Sequence, residues 1–405
     1  MTEHLRTEVA IIGGGIVGGS AALFLRKRGI DVTVLETAVC GAKASGVNYG
    51  GVRRQGRGVD QLPLARRAHG LWAQLSELIG TDGEYVRAGH LKLARNEEDL
   101  ALLEAYRATT RGYGLGLEII AGERFRKQFP WLGKGVIAGS LCPEDGHANP
   151  RLVGPAFGRA AARLGARVLE NHRVTAVHHD GKEFVLQVGH TLEIRSRFLL
   201  NCAGAWGNEF ARAFGESVPE DAIHPLMMAT EPLPVFSELS LGIQGGSIYA
   251  RQVARGNVII GGGRGVSSGP DLAQPDFARP GRAAIPALLA AVGRVMPALA
   301  NAHVIRFWSG VEGNMPDHNP VLGPSGTTPG LFHAFGFSGA GFQIGPAVGE
   351  VLAELVATGA SAIPIDAFGI DRYARPSGRD SDRYATSTRT PTHQSHPAGT
   401  HEETT

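Results

Sequence analysis

Three glycines near the start of the chain have a spacing that suits the binding of a dinucleotide. Gly13, Gly15 and Gly18 form a G-x-G-x-x-G pattern, and the acidic residue Glu36 follows about 20 residues later. In such a pattern the first glycine permits a tight turn, the second lets the backbone approach a pyrophosphate, and the third lets a helix pack close to a strand. Glu36 can accept hydrogen bonds from both ribose hydroxyls, but its carboxylate would repel a 2′-phosphate. The spacing therefore predicts a dinucleotide site and argues against NADP.

The glycines can act this way only between a strand and a helix. Residues 9–12 have the apolar composition of a short buried strand, residues 16–28 predict a helix, and residues 31–35 predict a second strand that ends beside Glu36. The helix would direct the N–H groups and the positive dipole end of its first turn, at Ile16 and Val17, towards the phosphates.

The same apolar run could also belong to a signal peptide or a membrane helix. Five clustered glycines argue against a membrane helix, because each lowers helix stability by about 1 kcal/mol. The run has no A-x-A-like cleavage site and leads into a second strand, which argues against a signal peptide. We therefore expect a cytoplasmic protein, and leave open a peripheral location at the inner membrane.

Composition narrows the function classes further. The chain has 405 residues, enough for two domains, with 40 Lys plus Arg and 38 Asp plus Glu, so its net charge of +2 gives no sign of a nucleic-acid surface. The three cysteines, Cys40, Cys142 and Cys202, are far apart and predict neither disulfides nor a metal site. Residues 376–405 are almost without aliphatic side chains, and we expect a disordered tail there.

Four stretches together resemble a known family. They are GGGIVGGSAALFLRKRGIDVTVLE, NCAGAWG, WSGVEGNMPDHNPVLG and FGFSGAGFQIGPAVGEVLA, and they occur in the order of the D-amino-acid oxidase-like FAD-dependent oxidoreductases. Within that family the resemblance is to the group of sarcosine oxidase β, glycine oxidase and opine oxidase. It implies FAD as cofactor, oxidation of a C–N bond of an amino acid or N-substituted amino acid by hydride transfer to flavin N5, and hydrolysis of the imine afterwards.

The resemblance also implies a fold. We expect an α/β protein with a discontinuous Rossmann-like FAD-binding domain and an inserted, mixed β-sheet substrate domain, as in the glutathione reductase-type FAD fold. The expected FAD-binding domain comprises residues 1–85, 145–220 and 325–375, and the expected substrate domain comprises residues 86–144 and 221–324.

The family's FAD contacts can be carried over one residue at a time. The matching positions are Gly13, Gly15, Ile16, Val17, Gly18, Glu36, Ala44, Ser45, Asn48, Gly50, Gly51, Val174, Ala203, Gly204, Trp206, Gly339, Gly341, Phe342 and Gln343. The last four belong to a turn that would aim the final helix at the flavin pyrimidine, where its dipole stabilises negative charge.

Four residues are candidates for contact with the substrate. Tyr249 and Arg251 alternate on a predicted strand, so both side chains could reach the cavity above the flavin. Arg251, or Arg53 in the glycine-rich loop, could bind a substrate carboxylate, although a surface arginine on a sheet edge is an equal alternative for Arg251. Glu312 stands where glycine oxidase has its carboxylate-binding arginine, and this suits a cationic amine.

Two further arginines share that loop. Arg53, Arg54 and Arg57 lie near the place where sarcosine oxidase uses arginines, and we expect at least one of the three to face solvent.

Departures from the family's pattern concern the flavin link and the electron acceptor. Gly310 and Pro150 stand where relatives attach flavin covalently, so we expect noncovalent FAD. Ile259 replaces the lysine that the resemblance links to oxygen activation, so the acceptor, O2 or a quinone or other electron carrier, stays open.

Other functions also stay open. One is an FAD-dependent dehydrogenase of a C–O substrate, such as a 2-hydroxy acid or glycerol phosphate. Another is the flavin subunit of a hetero-oligomeric amine oxidase or dehydrogenase, and a homo-oligomer is an alternative assembly. A non-catalytic flavoprotein is disfavoured, because a structural role needs no helix dipole aimed at the flavin.

Overall fold

The computed structural model describes residues 3–246, 248–265 and 278–373. Its strands are β1 (Glu3–Ile12), β2 (Val32–Leu35), β3 (Gly51–Val52), β4 (His90–Ala94), β5 (Glu118–Ala121), β6 (Ala138–Cys142), β7 (Gly146–His147), β8 (Arg167–Leu169), β9 (Val174–His179), β10 (Phe184–Val188), β11 (Leu192–Asn201), β12 (Asp221–Ile223), β13 (Pro225–Pro232), β14 (Ser240–Ile243), β15 (Tyr249–Gln252), β16 (Asn257–Arg264), β17 (Val304–Ser309), β18 (Glu312–Asn314), β19 (Val321–Pro324) and β20 (Leu331–Phe335). Its α-helices are α1 (Ile16–Lys27), α2 (Ala44–Val47), α3 (Leu62–Ala73), α4 (Leu75–Ile79), α5 (Glu97–Thr109), α6 (Gly122–Gln128), α7 (Pro150–Arg163), α8 (Gly207–Arg212), α9 (Ala284–Val295) and α10 (Gly341–Thr358). The expected disordered tail, residues 376–405, lies outside the described residues.

The first sheet is built around parallel strands. Its order is β19-β20-β11-β1-β2-β8, and the β9–β10 hairpin joins it through antiparallel pairing of β10 with β11. The central strand β1 is parallel to both β2 and β11, with Ile12 opposite Leu35 and Asn201. Parallel strands end at the same edge of a sheet, so the turns that follow β1, β2 and β11 come together there.

Helices α1, α7 and α10 pack against one face of this sheet, and small residues let the helices approach one another closely. A Cβ on Gly19 of α1 would lie 3.1 Å from the backbone nitrogen of Gly158 in α7, and one on Gly349 of α10 would lie 2.4 Å from Cβ of Ser20. The strand predicted at 9–12 begins earlier, at Glu3, because it pairs along its full length with β11.

The second sheet is mixed and lies between the segments of the first along the chain. Its order is β17-β13-β16-β15-β14-β4-β6-β5, in which β14 and β4 are parallel and the other neighbours antiparallel. A separate hydrophobic core covers it, including Phe125 and Phe129 near α6 and Leu288 and Val292 of α9. This α/β architecture, with a β-rich insertion in a parallel-sheet unit, is the fold class that the sequence predicts.

The exact division into domains stays a proposal, and strand pairing moves one of its bounds. Residues 221–324 were expected in the substrate domain, yet β19 pairs antiparallel with β20 in the first sheet. The pairing arises because Val321 and Leu322 are fully buried against that sheet. We therefore propose that the substrate domain ends before Val321. Among the described residues, no helix is both long and apolar enough to cross a bilayer.

Candidate active site

A cavity of about 560 Å³ lies at the edge of the first sheet and reaches the second. Sixteen of the residues expected to contact FAD line it: Gly13, Gly15, Ile16, Val17, Glu36, Ala44, Ser45, Asn48, Gly51, Val174, Ala203, Gly204, Trp206, Gly339, Gly341 and Phe342. Three of the four candidate substrate contacts, Arg53, Tyr249 and Glu312, line the same cavity. The fold thus joins segments that are more than 300 residues apart in the sequence.

Two positions require glycine where β1 passes into α1, one in the turn and one in the helix. Gly13 has φ of +103°, and a Cβ there would lie 2.3 Å from the carbonyl oxygen of Cys202 on the adjacent strand end. Gly18 lies beneath the turn rather than in the cavity, and its Cβ would lie 1.9 Å from the carbonyl oxygen of Gly13. The tight approach of helix to strand therefore depends on Gly18.

Two side chains brace this turn by accepting backbone hydrogen bonds. The Glu36 carboxylate accepts from the N–H of Gly14 and from the N–H of Ala38, both at 2.8 Å. Burial raises the pKa of Glu36, and these two N–H groups oppose that rise. Ser45 Oγ accepts from the N–H of Ile16 at 2.9 Å, so the loop that carries Ser45 is fixed to the first turn of α1.

Two helix N-termini open on the cavity. Neither α1, which follows Gly15, nor α10, which follows Ala340, has a side-chain cap, and the first turns of both helices line the cavity wall. Their positive dipole ends favour negative charge, as on a pyrophosphate or a reduced flavin ring. The glycine-lined wall, the paired helix termini and the buried acid Glu36 together fit the shape and charge of FAD.

Two other expected FAD contacts lie outside the lining. Gly50 has φ of +90°, and a Cβ there would lie 2.0 Å from the carbonyl oxygen of Ala148. The backbone at this position therefore requires glycine. Gln343 is fully buried, and its Nε2 donates to the carbonyl oxygen of Ala65 at 2.9 Å, which directs the side chain into the α3–α10 packing.

Two of the substrate candidates in the cavity, Glu312 and Tyr249, differ in charge and polarity. Burial raises the pKa of the Glu312 carboxyl to about 7, against the opposing effects of the Gly339 N–H and the Arg57 guanidinium. The Tyr249 ring packs on Tyr49 with centroids 4.7 Å apart, and its hydroxyl donates to Met227 Sδ at 3.6 Å. This end of the cavity therefore combines an aromatic wall with a carboxyl group that titrates near neutral pH.

Arg251 does not reach the cavity with Tyr249, although the two alternate on β15. Its Nε donates to the carbonyl oxygen of Tyr49, and its Nη1 lies 3.3 Å from Nδ1 of His147. The guanidinium is buried behind the loop that carries Tyr49, and burial lowers its pKa to about 10. The expectation that Arg251 and Tyr249 face one cavity is corrected by this packing.

Of the three loop arginines, at least one of which was expected to face solvent, Arg53 is partly exposed and the other two are buried. Arg54 is 5% exposed and pairs with Glu144, and Arg57 is 6% exposed. The buried carboxylate of Asp145 fixes the loop by accepting the N–H groups of Arg54 and Gln55 at 2.8 and 2.9 Å. This arrangement leaves Arg53 as the loop arginine in the cavity lining.

Sequence reasoning missed several polar residues near the cavity. Tyr49 and His90 line it, and Lys92 lies two residues along β4 from His90. The available signal was a pair of basic residues at alternating positions in the otherwise apolar stretch HLKLA. That signal gives a shared strand face but not the partner of that face, since β4 pairs with β14 from a distant part of the chain.

Comparison with known proteins identifies the family. The model of the FAD dependent oxidoreductase family, abbreviated DAO, matches residues 8–355, most of the chain. The chain belongs to this family. It is an FAD-dependent oxidoreductase, and the glycine turn, Glu36 and the two helix termini are the features of this chain that fit the cofactor.

Individual relatives extend the comparison. The chain is 29% identical over 403 residues to 4-methylaminobutanoate oxidase (formaldehyde-forming) of Paenarthrobacter nicotinovorans, a match that covers 95% of this chain and 47% of that enzyme. It is 28% identical over 347 residues to one of the subunits of opine oxidase of Rhizobium meliloti, covering 80% and 87%. The solved structure of L-proline dehydrogenase from P. horikoshii has a TM-score of 0.84 at 27% identity, covering 92% and 99%. The chain thus spans about half the length of the first relative.

The positions expected to lack a flavin link have no nucleophile directed at the cavity. Gly310 lines the cavity, and a Cβ there would lie 2.4 Å from Val47 Cγ2. Pro150 begins α7 outside the lining, and His147 is turned to the Glu238 carbonyl oxygen at 3.1 Å. Cys202 does line the cavity, but burial raises the pKa of its thiol and so disfavours the reactive thiolate.

We therefore expect acid precipitation to release all the flavin into the supernatant. The reason is that Gly310 and Pro150, the two positions at which the family resemblance would place a flavin link, have no nucleophilic side chain. The measurement is flavin fluorescence in the supernatant and on the protein band of a denaturing gel. Fluorescence that stays on the band would contradict noncovalent binding.

Proposed function

We propose that this protein oxidises the C–N bond of an amino acid or N-substituted amino acid, such as sarcosine, a D-amino acid or an opine-like amine. The observation that carries the proposal is the convergence of Arg53, Glu312 and Tyr249 on the cavity that contains the glycine turn. The names of two relatives, 4-methylaminobutanoate oxidase and opine oxidase, support an amine substrate. When bound, FAD supplies the hydride acceptor, and water then hydrolyses the imine product.

Arg53 is the proposed anchor for the substrate carboxylate. Its Nη1 donates to the carbonyl oxygen of Gln55, which fixes one edge of the guanidinium. Among the described residues no carboxylate forms an ion pair with it. A planar guanidinium with its remaining N–H groups available can bind a carboxylate through two parallel hydrogen bonds and so orient the amine.

Glu312 is proposed to hold the amine end of the substrate and to accept its proton. A C–N bond can be oxidised only when the nitrogen lone pair is available, so the ammonium form must first lose a proton. With a pKa of about 7, the Glu312 carboxyl is partly ionised at neutral pH and can exchange that proton. Tyr249 and Tyr49 would cover the reacting carbon and exclude water from it.

We expect the pH profile of kcat/KM to report on Glu312. The proton-accepting form is the carboxylate, which is populated above the pKa, so kcat/KM of the wild-type protein should rise as the pH passes through about 7. In Glu312→Gln that rise should disappear, and kcat/KM at neutral pH should fall by about tenfold, because the substrate must then lose its proton in solution.

The matched control is Glu104→Gln, which changes an exposed glutamate of α5. It should leave the pH profile as in wild type. An unchanged rise in Glu312→Gln would remove Glu312 from the proposed mechanism.

Product analysis tests C–N against C–O oxidation. A carboxylated amine should yield a carbonyl product together with ammonia or a smaller amine, in equal amounts. A 2-hydroxy acid or glycerol phosphate would yield the carbonyl product alone. Turnover of only the oxygen substrates would overturn the proposal.

A second candidate is a flavin subunit that acts within a hetero-oligomer. It is favoured by the likeness to the opine oxidase polypeptide, which is itself named as a subunit and matches 80% of this chain. Size determination of the purified protein with and without its co-purifying partners would test it.

Ile259 on β16 is the reason to propose an electron acceptor other than oxygen. A comparison of the rates of dye reduction and oxygen reduction would test that proposal.

A further inference from the structure

Four basic side chains form a cluster beside the cavity, which we call the inner cation cluster: Arg53, Arg57, His90 and Lys92. The position of a Cβ on Gly56 would be 3.0 Å from Nη1 of Arg53 and 3.3 Å from Nζ of Lys92, so these two cations are close neighbours. Arg57 Nε donates to the carbonyl oxygen of Arg53, and His90 lies on the same face of β4 as Lys92. Arg53 and His90 line the cavity itself, whereas Arg57 and Lys92 lie next to these lining residues.

The cluster has little compensating negative charge. Among the described residues, no acidic side chain forms an ion pair with Arg53, Arg57 or Lys92. Asp99 acts on Lys92 from a distance, but its carboxylate is bound by Arg95 at 2.8 Å. The buried carboxylate of Asp145 acts on Arg57 in the same way and offsets part of its charge, and Glu312, which also acts on Arg57, is only partly ionised at neutral pH.

Mutual repulsion and burial both lower the pKa values of the cluster. Burial and the neighbouring Arg53 lower the pKa of Arg57 to about 9 and that of Lys92 to about 8. Burial and all three neighbours lower the pKa of His90 well below its usual range, so its ring is neutral. Lone cations in such surroundings are stabilised by an anion that binds between them.

We infer that the substrate carries a second anionic group, which binds at Lys92 and His90 while Arg53 holds the first. The substrate class is thus an amine with two carboxylates or a carboxylate and another acidic group. Because Asp145 offsets part of the charge of Arg57, one substrate carboxylate would leave one of the other two cations without a counter-charge, whereas two carboxylates would offset both. This inference rests on the proposed function, because it specifies the substrate of the same cavity.

Titration of the flavin absorbance spectrum of the holoenzyme tests the inference. The probes are propionate, butyrate and valerate as monocarboxylates, and malonate, succinate and glutarate as dicarboxylates. We expect at least one dicarboxylate to bind about 30-fold more tightly than the monocarboxylate of the same carbon number. Lys92→Met should lower that preference about tenfold without changing monocarboxylate affinity, and Lys92→Arg should retain it.

Lys134→Met, which changes an exposed lysine, is the matched control and should bind both classes as wild type does. Dicarboxylates that bind no more tightly than monocarboxylates would overturn the inference and leave the proposed function intact. An equal preference in Lys92→Met and wild type would overturn the place of Lys92. Failure of both classes to bind, together with no oxidation of any carboxylated amine, would overturn the proposed function as well.

Discussion

Arg53→Met should lower kcat/KM for a carboxylated amine by about 30- to 1000-fold. The variant removes the proposed charge-assisted, two-point hydrogen bond between Arg53 and the substrate carboxylate, and such a loss in a partly dry cavity costs roughly 2–4 kcal/mol of transition-state binding. The side chain lines the cavity, and its loop is fixed by the buried Asp145 carboxylate, so the rest of the site should keep its shape. Steady-state kinetics with a dye acceptor measure the change.

Two controls separate the role of Arg53 from general effects. Arg66→Met changes an exposed arginine of α3 and should retain wild-type kinetics. Arg251→Met removes the hydrogen bond to the carbonyl oxygen of Tyr49 and should lower the melting temperature more than kcat/KM, since the guanidinium is buried outside the cavity. Loss of activity in Arg251→Met with normal activity in Arg53→Met would assign the carboxylate to Arg251 instead.

Gly15→Val should yield folded protein that lacks flavin. Gly15 has φ of −68°, which valine can adopt, so the backbone of the turn is not strained by the change. A Cβ at this position already lies 3.0 Å from Ser45 Oγ, and the two methyl groups would occupy the space at the N-terminus of α1 where a pyrophosphate must approach. The measurement is the ratio of flavin to protein absorbance after purification, which should fall to about a tenth or less of wild type.

The matched control is Gly70→Ala in α3, where an added Cβ has no atom within 4 Å. It should keep a full complement of flavin and gain a little helix stability. A full yellow spectrum in Gly15→Val would mean that the pyrophosphate lies elsewhere.

Local patterns were sufficient to predict the nucleotide-binding half of the fold. The strand, glycine turn, helix and acidic residue lie within one short stretch, and their spacing has few alternatives. The observed bounds, Ile16–Lys27 for the helix and Val32–Leu35 for the strand, differ from the predicted ones by one residue at an end. Gly13 and Gly18 matter because of contacts within that same stretch and with the next strand end.

The substrate side could not be predicted to the same depth, because it depends on pairing between distant strands. Alternation on β15 correctly gave Tyr249 a place in the cavity, but the long side chain of Arg251 is drawn to a carbonyl group of another segment. His90 and Lys92 were missed because β4 gains its neighbour β14 only through a parallel pairing across about 150 residues. Alternation in the sequence predicts which side chains share one face of a strand. It does not predict which distant residues pack against that face.

Anaerobic reduction of the bound flavin by candidate substrates tests the central claim most directly. The purified holoenzyme is mixed without oxygen with a series of carboxylated amines and with the hydroxy acids of matching carbon skeleton, and the visible flavin band is followed. We predict that at least one N-substituted or D-amino acid bleaches the band, and that its hydroxy acid counterpart leaves it unchanged. Bleaching by a hydroxy acid or glycerol phosphate, with no response to any amine, would contradict the assignment of this protein as an amine oxidoreductase.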